Sequence, residues 1–244
     1  MNVLSIGNSF SQDSHRYLHG VARSAGVELN TFNLYIPACP ISAHFRNLLS
    51  EERAYTLEVN GSNTDFKVSL KEALLNRDWD VVTIQQASKP SPYYDTYFPY
   101  LGRLVEQVRL LVPKAKFFIH QTWAYEQDSK MLNEVLHYSE HKDMANDVIN
   151  AYKQAAADVS PDGIIPAGEV MEALLDNGIS PVYRDTYHAS LGLGRYALAL
   201  TWYRFLTGRD ISNVSFNDFD EAVPAEQIPM IKKYISDVAD RYGV

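Results

Sequence analysis

The sequence predicts an α/β protein built on a parallel sheet with helices on both faces. Short apolar runs of strand type alternate with amphipathic helical stretches along the whole chain. One run, Trp79-Asp-Val-Val-Thr-Ile84, is nearly continuous in apolar residues, as in strands buried on both faces. No repeat, linker or low-complexity stretch interrupts the 244 residues, so a single domain spanning 1–244 is expected.

Val3, Leu4 and Ile6 form a first short strand, stopped abruptly by Gly7-Asn8-Ser9. Helical periodicity from Ser14 to Ala25 ends at Gly26, a favourable residue just past a helix end. Leu29 to Ile36 alternates and reads as the second strand, closed by Pro37-Ala-Cys-Pro40, and Ile41 to Ser50 reads as a short helix. Tyr55 to Val59, Asn60-Gly61 and Thr64 to Val68 carry the alternation and turn chemistry of a small hairpin insertion. Ser69 to Asn76 is a short helix before the third parallel strand at 79–84, and a Pro- and Tyr-rich loop runs from Ala87 to Pro99. Tyr100 to Val112 is an amphipathic helix, Lys116 to His120 the fourth strand, and Lys130 to Val159 one long helix. Gly163 to Ala167 is the fifth strand; helices follow at Glu169 to Asp176, Ala189 to Thr207 and Ile228 to Tyr242.

Composition narrows the function classes. Apolar and charged fractions of 46% and 21% are those of a globular chain with an ample core. A net charge of -8 disfavours nucleic acid and anionic membrane as partners, since both call for clustered Lys and Arg. The single cysteine, Cys39, excludes an internal disulfide framework and a thiolate zinc set, and reads as a small loop or core residue. The chain opens directly in a strand, with no signal-peptide pattern. The expectation is a cytoplasmic protein, or one from which a signal peptide has been removed.

A strand that ends in Gly-Asn-Ser and runs into a helix places Ser9 at the carboxyl edge of the sheet, where open α/β sheets bind ligands. Serines in such places commonly serve as plain helix caps. A nucleophilic serine also needs a base and a group to orient that base. Asp185 and His188 supply both, three residues apart on one loop. The developing oxyanion needs donors as well. Candidates are the Ser9 N–H, the Ala38 N–H on the loop after the second strand, and the side-chain amide of Gln86 or Gln85 after the third.

These residues resemble the motifs of the SGNH (GDSL-type) hydrolase superfamily. Gly7-Asn8-Ser9 is similar to its first motif, Gly-Asp-Ser, and Asp185-Thr-Tyr-His188 to its last, Asp-x-x-His. The wording Ile6-Gly-Asn-Ser-Phe-Ser11, Ile84-Gln-Gln86 and His188-Ala-Ser-Leu-Gly192 is similar to a poorly characterised bacterial branch. The resemblance implies a flavodoxin-like three-layer α/β/α fold with a five-stranded parallel sheet. It implies esterase chemistry without cofactor or metal, with Ser9 as nucleophile, His188 as base and Asp185 as orienting acid. Two departures stand out: the family's oxyanion glycine falls on Pro37 or Ala38, and its oxyanion asparagine on Gln85-Gln86. Proline has no N–H, which leaves Ala38 as backbone donor.

Asn8, Tyr93, Tyr94, Trp123 and Tyr125 are candidate substrate contacts, the aromatic ones because loop aromatics can stack on sugar rings or line an acyl pocket. His137 and His141 share a helical spacing without an acid to complete a metal site, and read as a solvated helix face. Gly192-x-Gly194 follows no strand and is discounted as a nucleotide site. The expected activity is hydrolysis of a small or carbohydrate-linked acyl ester, an acetyl ester above all. The rival expectation is a non-catalytic ligand-binding module whose oxyanion loops have degraded. The partner expected is a small-molecule or glycan ester, and oligomeric state is left open.

Overall fold

A computed structural model describes residues 1–244. At its centre lies β1 (Asn2–Gly7), whose residues after Asn2 are all buried. It pairs in parallel with β2 (Asn30–Tyr35) on one side and β5 (Val81–Ile84) on the other. Beyond β5 come β6 (Lys116–Gln121) and β7 (Gly163–Pro166), also parallel. These five are the parallel strands expected. The hairpin β3 (Tyr55–Val59) and β4 (Ser62–Val68) is more than an insertion, because β3 pairs antiparallel with β2 and extends the sheet to seven strands. The order is β4-β3-β2-β1-β5-β6-β7. The chain therefore runs outward from β1 through β2, then crosses back to β5. That reversal opens a crevice at the carboxyl ends of β1, β2 and β5, where such sheets bind ligands.

The helices are α1 (Ser9–His15), α2 (Leu18–Ser24), α3 (Ile41–Ser50), α4 (Leu70–Leu75), α5 (Tyr100–Leu111), α6 (His141–Val159), α7 (Ala167–Asp176), α8 (Leu193–Thr207) and α9 (Ile228–Arg241). α8 packs on α1, α2, α7, α9 and β7, while α5 packs on α3, α4 and α6. α8 is buried around nearly its whole circumference, with only Arg195, Arg204 and Thr207 partly exposed, which suits a helix enclosed by its neighbours. The buried apolar side chains form one cluster of 66 residues running from Val3 to Ala239, so both ends of the chain build the same interior.

Two expected helices are divided. The first periodic stretch begins at Ser9 and breaks at Arg16-Tyr17, giving α1 and α2. The expected helix over 130–159 is a π-turn at Met131–Val135 followed by α6, with His137 between them in a left-handed conformation (φ 61°). His137 and His141 thus do not share a helix face. The His141 ring is buried, with Nδ1 against Tyr125 O and Nε2 against Glu172 Oε1, both at 2.5 Å. No helix is long and apolar enough to cross a membrane.

Candidate active site

Gly7 ends β1 and Asn8 caps α1, so the chain turns from strand to helix within one residue. A Cβ on Gly7 would lie 2.0 Å from Ser11 Oγ and 3.2 Å from Asn33 Oδ1, which explains the glycine. Asn8 Oδ1 accepts the Phe10 N–H at 3.0 Å, and Ser11 Oγ accepts the Asn8 N–H at 3.1 Å, a capping box that fixes the start of the helix. Ser9 is the first helical residue, and its N–H has no acceptor within the helix.

The other half of the site comes from the loop between α7 and α8. Asp185 Oδ1 accepts the His188 N–H at 2.9 Å, and Oδ2 lies 2.8 Å from His188 Nδ1. Nδ1 therefore carries the proton, and Nε2 faces Ser9 Oγ at 2.8 Å. Burial alone would raise the Asp185 carboxyl. Its hydrogen bonds from the His188 ring and N–H, with the charges of His188 and Arg184, prevail and hold it below the usual carboxylate range. The loop is fastened from outside: Trp123 Nε1 donates to Tyr187 O at 2.7 Å and the Glu126 N–H to Thr186 O at 2.7 Å. Thr186 sits at φ 77°, a left-handed conformation uncommon for a branched residue, which these two anchors hold in place. Phe10 stacks on Trp123 at 4.0 Å and meets the His188 ring edge-on at 6.0 Å.

Rival groups are chemically quiet. Burial lowers His15, His44 and His120 to about 3, so all three stay neutral near pH 7. Burial pushes the Cys39 thiol up to about 12, which keeps it from acting as a thiolate nucleophile.

Both glutamine amides, expected as oxyanion donors, are engaged in internal hydrogen bonds. Gln86 Oε1 accepts from Ile41 N–H (3.0 Å) and Ala87 N–H (2.9 Å), and Nε2 donates to Thr96 O and Oγ1, both at 3.2 Å. That amide ties together the loops after β2 and β5. Gln85 Nε2 donates to Asn8 Oδ1 at 2.6 Å, and Gln85 Oε1 lies 2.5 Å from His120 Nδ1. Since Asn8 Oδ1 already accepts from Phe10, the amide nitrogen of Gln85 must face it and the oxygen must face His120. His120 is thereby protonated on Nδ1. Gln85 and His120 brace the capping residue from behind. Ala38 is different: it is exposed at φ 50°, the region glycine favours, and its N–H makes no internal hydrogen bond.

The expected substrate contacts divide as well. Asn8 is buried, its Nδ2 donating to Cys39 O at 3.4 Å, so it is a cap and presents no face to a ligand. Trp123 is wholly buried and supports the site from beneath. Tyr93 is exposed, and the Tyr94 hydroxyl bonds Asp158 on α6; neither lines the cavity that Tyr187 borders. Tyr125 does line it. This cavity of about 410 Å³ is walled by Ala38, Ser88, Lys89, Tyr125, Met131 and Tyr187, among others. It opens next to the imidazole, since the Tyr187 ring lies 4.1 Å from that of His188. Sequence reasoning missed Tyr187 although it stands inside the Asp-x-x-His motif, which was the available signal. Met131 carried no signal at all.

The strand order, the strand-to-helix turn at Ser9 and the Asp-x-x-His loop are those of the SGNH (GDSL-type) hydrolase fold. The model for the domain of unknown function DUF4886 matches residues 2–234, and the chain belongs to that family. A DUF4886 family protein from Bacteroides uniformis is 30% identical, with a TM-score of 0.86 over 98% of this chain and 93% of that one. An SGNH hydrolase candidate from Slackia heliotrinireducens is 22% identical (TM-score 0.62; 84% of this chain, 98% of that one). Axe2, an acetylxylan esterase from Geobacillus stearothermophilus, is 14% identical (TM-score 0.53; 88% and 94%). A comparison with curated protein sequences gives no match.

Proposed function

We propose that this chain is a serine esterase that cleaves a small or carbohydrate-linked acyl ester, acetyl esters first among them. What carries the reading is the row Ser9 Oγ, His188 Nε2, His188 Nδ1 and Asp185 Oδ2, with 2.8 Å across each of its two hydrogen bonds. In this reading Ser9 Oγ attacks the ester carbonyl carbon as His188 Nε2 takes its proton, and Asp185 stabilises the imidazolium. The tetrahedral oxyanion is met by the N–H groups of Ser9 and Ala38. Collapse expels the alcohol, which receives the proton from His188, and leaves an acyl-Ser9. Water, deprotonated by His188, then releases the acid and restores the hydroxyl. A cavity of about 410 Å³ suits a short acyl group or a sugar unit. Axe2, an acetylxylan esterase with this fold, makes acetylated sugars the first class to assay.

A fluorophosphonate probe tests the chemistry independently of substrate. Labelling confined to Ser9, and absent in Ser9→Ala, is the expected result. A second reading, a ligand-binding module without turnover, is favoured by one observation: both glutamine amides are engaged internally, which leaves only backbone donors for the oxyanion. Folded protein that the probe leaves unlabelled would establish that reading instead.

Ala38→Gly provides a finer test. Glycine keeps the N–H and adopts φ 50° without strain, so stability should rise by about 0.5–1 kcal/mol, less what the more flexible unfolded chain takes back. Turnover should stay within about threefold of wild type in an acetyl-ester assay. Ala38→Pro removes the N–H and cannot adopt that φ, and should lose roughly 10²-fold or more.

A further inference from the structure

We infer that Asp13, with Arg184 and Arg195, forms a clamp that sets the reach of His188 to Ser9; this rests on the proposed esterase reading. Asp13 lies four residues after Ser9, hence on the same side of α1. Its carboxylate is fully buried. It accepts Arg184 Nη1 at 2.9 and 3.0 Å, Arg195 Nε at 2.9 Å and the Ala189 N–H at 3.2 Å. Arg184 also donates to Ala189 O, and the Arg184 N–H to His188 O at 3.0 Å.

The nucleophile helix thus grips the base-bearing loop twice. Ser9 meets His188, and one turn further on Asp13 holds the residues flanking Asp185 and His188, namely Arg184 and Ala189. Arg195, near the start of α8, braces the carboxylate from the other side and donates through Nη1 to Asp220 at 2.8 Å. A fully buried carboxylate with two guanidinium partners is costly to desolvate, so its contribution to stability does not by itself account for it. Its placement one turn from the nucleophile fits positioning. These three residues touch no reacting atom in the proposed mechanism. Their effect passes through the imidazole, where a shift of about 1 Å costs on the order of 10²-fold in rate.

The test uses Arg184→Met and Arg195→Met in the full chain, with Arg184→Lys as the conservative variant and Asp13→Asn as the most severe one. Each is assayed with p-nitrophenyl acetate well below its own melting temperature, and amide hydrogen exchange is followed over residues 184–189. Arg184→Met should lower kcat by roughly 10- to 100-fold with KM within about twofold, and speed exchange of the loop amides at least tenfold relative to β1. Arg184→Lys should recover part of both. A folded Arg184→Met that keeps wild-type kcat overturns the clamp, as does unchanged loop exchange. Loss of activity only in proportion to loss of folded protein overturns it too. Should Asp13→Asn fail to fold, the arginine variants decide. Should wild type neither hydrolyse esters nor react with fluorophosphonate, the esterase reading fails and the clamp with it as a catalytic device; accelerated loop exchange in Arg184→Met would then mark these residues as a structural fastening only.

Discussion

Replacing His188 with alanine is expected to lower kcat/KM towards an acetyl ester by about 10⁶-fold, close to the effect of removing Ser9 itself. The two should be far from additive. Once the base is gone the hydroxyl is an ordinary alcohol, so the double variant should resemble either single one. Asp185→Asn should cost about 10⁴-fold while leaving the fold intact, because the amide can present its N–H₂ to Nδ1 and favour the wrong tautomer. Steady-state kinetics of the four variants, with melting curves alongside, check this. A His188→Ala protein within tenfold of wild type would remove the triad from the mechanism. The low-lying Asp185 carboxyl adds a pH consequence: it stays ionised down to pH values below the normal carboxylate range, so loss of rate between pH 7 and 5 is not expected to arise from Asp185.

The largest stability effect is expected beneath the site. Trp123 is wholly buried, stacks on Phe10 at 4.0 Å and donates its indole N–H to Tyr187 O. Trp123→Ala leaves a large void next to Phe10 and frees the carbonyl that anchors the base-bearing loop. Loss of such a side chain costs about 3–5 kcal/mol, which for a chain of this size lowers the melting temperature by roughly 10 °C. Trp123→Phe retains most of the packing and loses only the donor. It should cost about 1–2 kcal/mol yet still reduce turnover, because Tyr187 and His188 move with the released carbonyl. Thermal unfolding paired with kcat distinguishes the two contributions. Equal melting temperatures for the alanine and phenylalanine variants would contradict this account.

Much of this was legible before any coordinates. Ser9, Asp185 and His188 each stand in a local pattern whose chemistry is readable from a few residues, and the alternation of strand and helix was enough to place them on one sheet edge. Residues whose role depends on a distant partner were not legible. Asp13 looks like any polar residue on an early helix until Arg184 and Arg195 arrive from the far end of the chain. Gln85 and Gln86 carry the right functional group at the right strand end, but neighbours that periodicity does not reveal (Asn8, His120, Ile41 and Thr96) take up their amides. Trp123 follows a strand and so reads as a loop aromatic, whereas Phe10 draws it into the interior. The hairpin was visible through Asn60-Gly61, but its pairing with β2 depended on an edge that sequence does not mark. The division at His137 was hidden for a related reason: a left-handed residue other than glycine leaves no compositional trace.

The Ser9–His188 hydrogen bond spans 179 positions of chain, and that separation has a consequence in time. At ordinary rates of protein synthesis, roughly 10–35 s pass between the appearance of the hydroxyl and the appearance of the imidazole it meets. During that interval the nascent polypeptide holds an inert alcohol beside an unfinished sheet. On the proposed esterase reading, hydrolytic power would switch on late, when the segment carrying Asp185 and His188 has left the ribosome and docked.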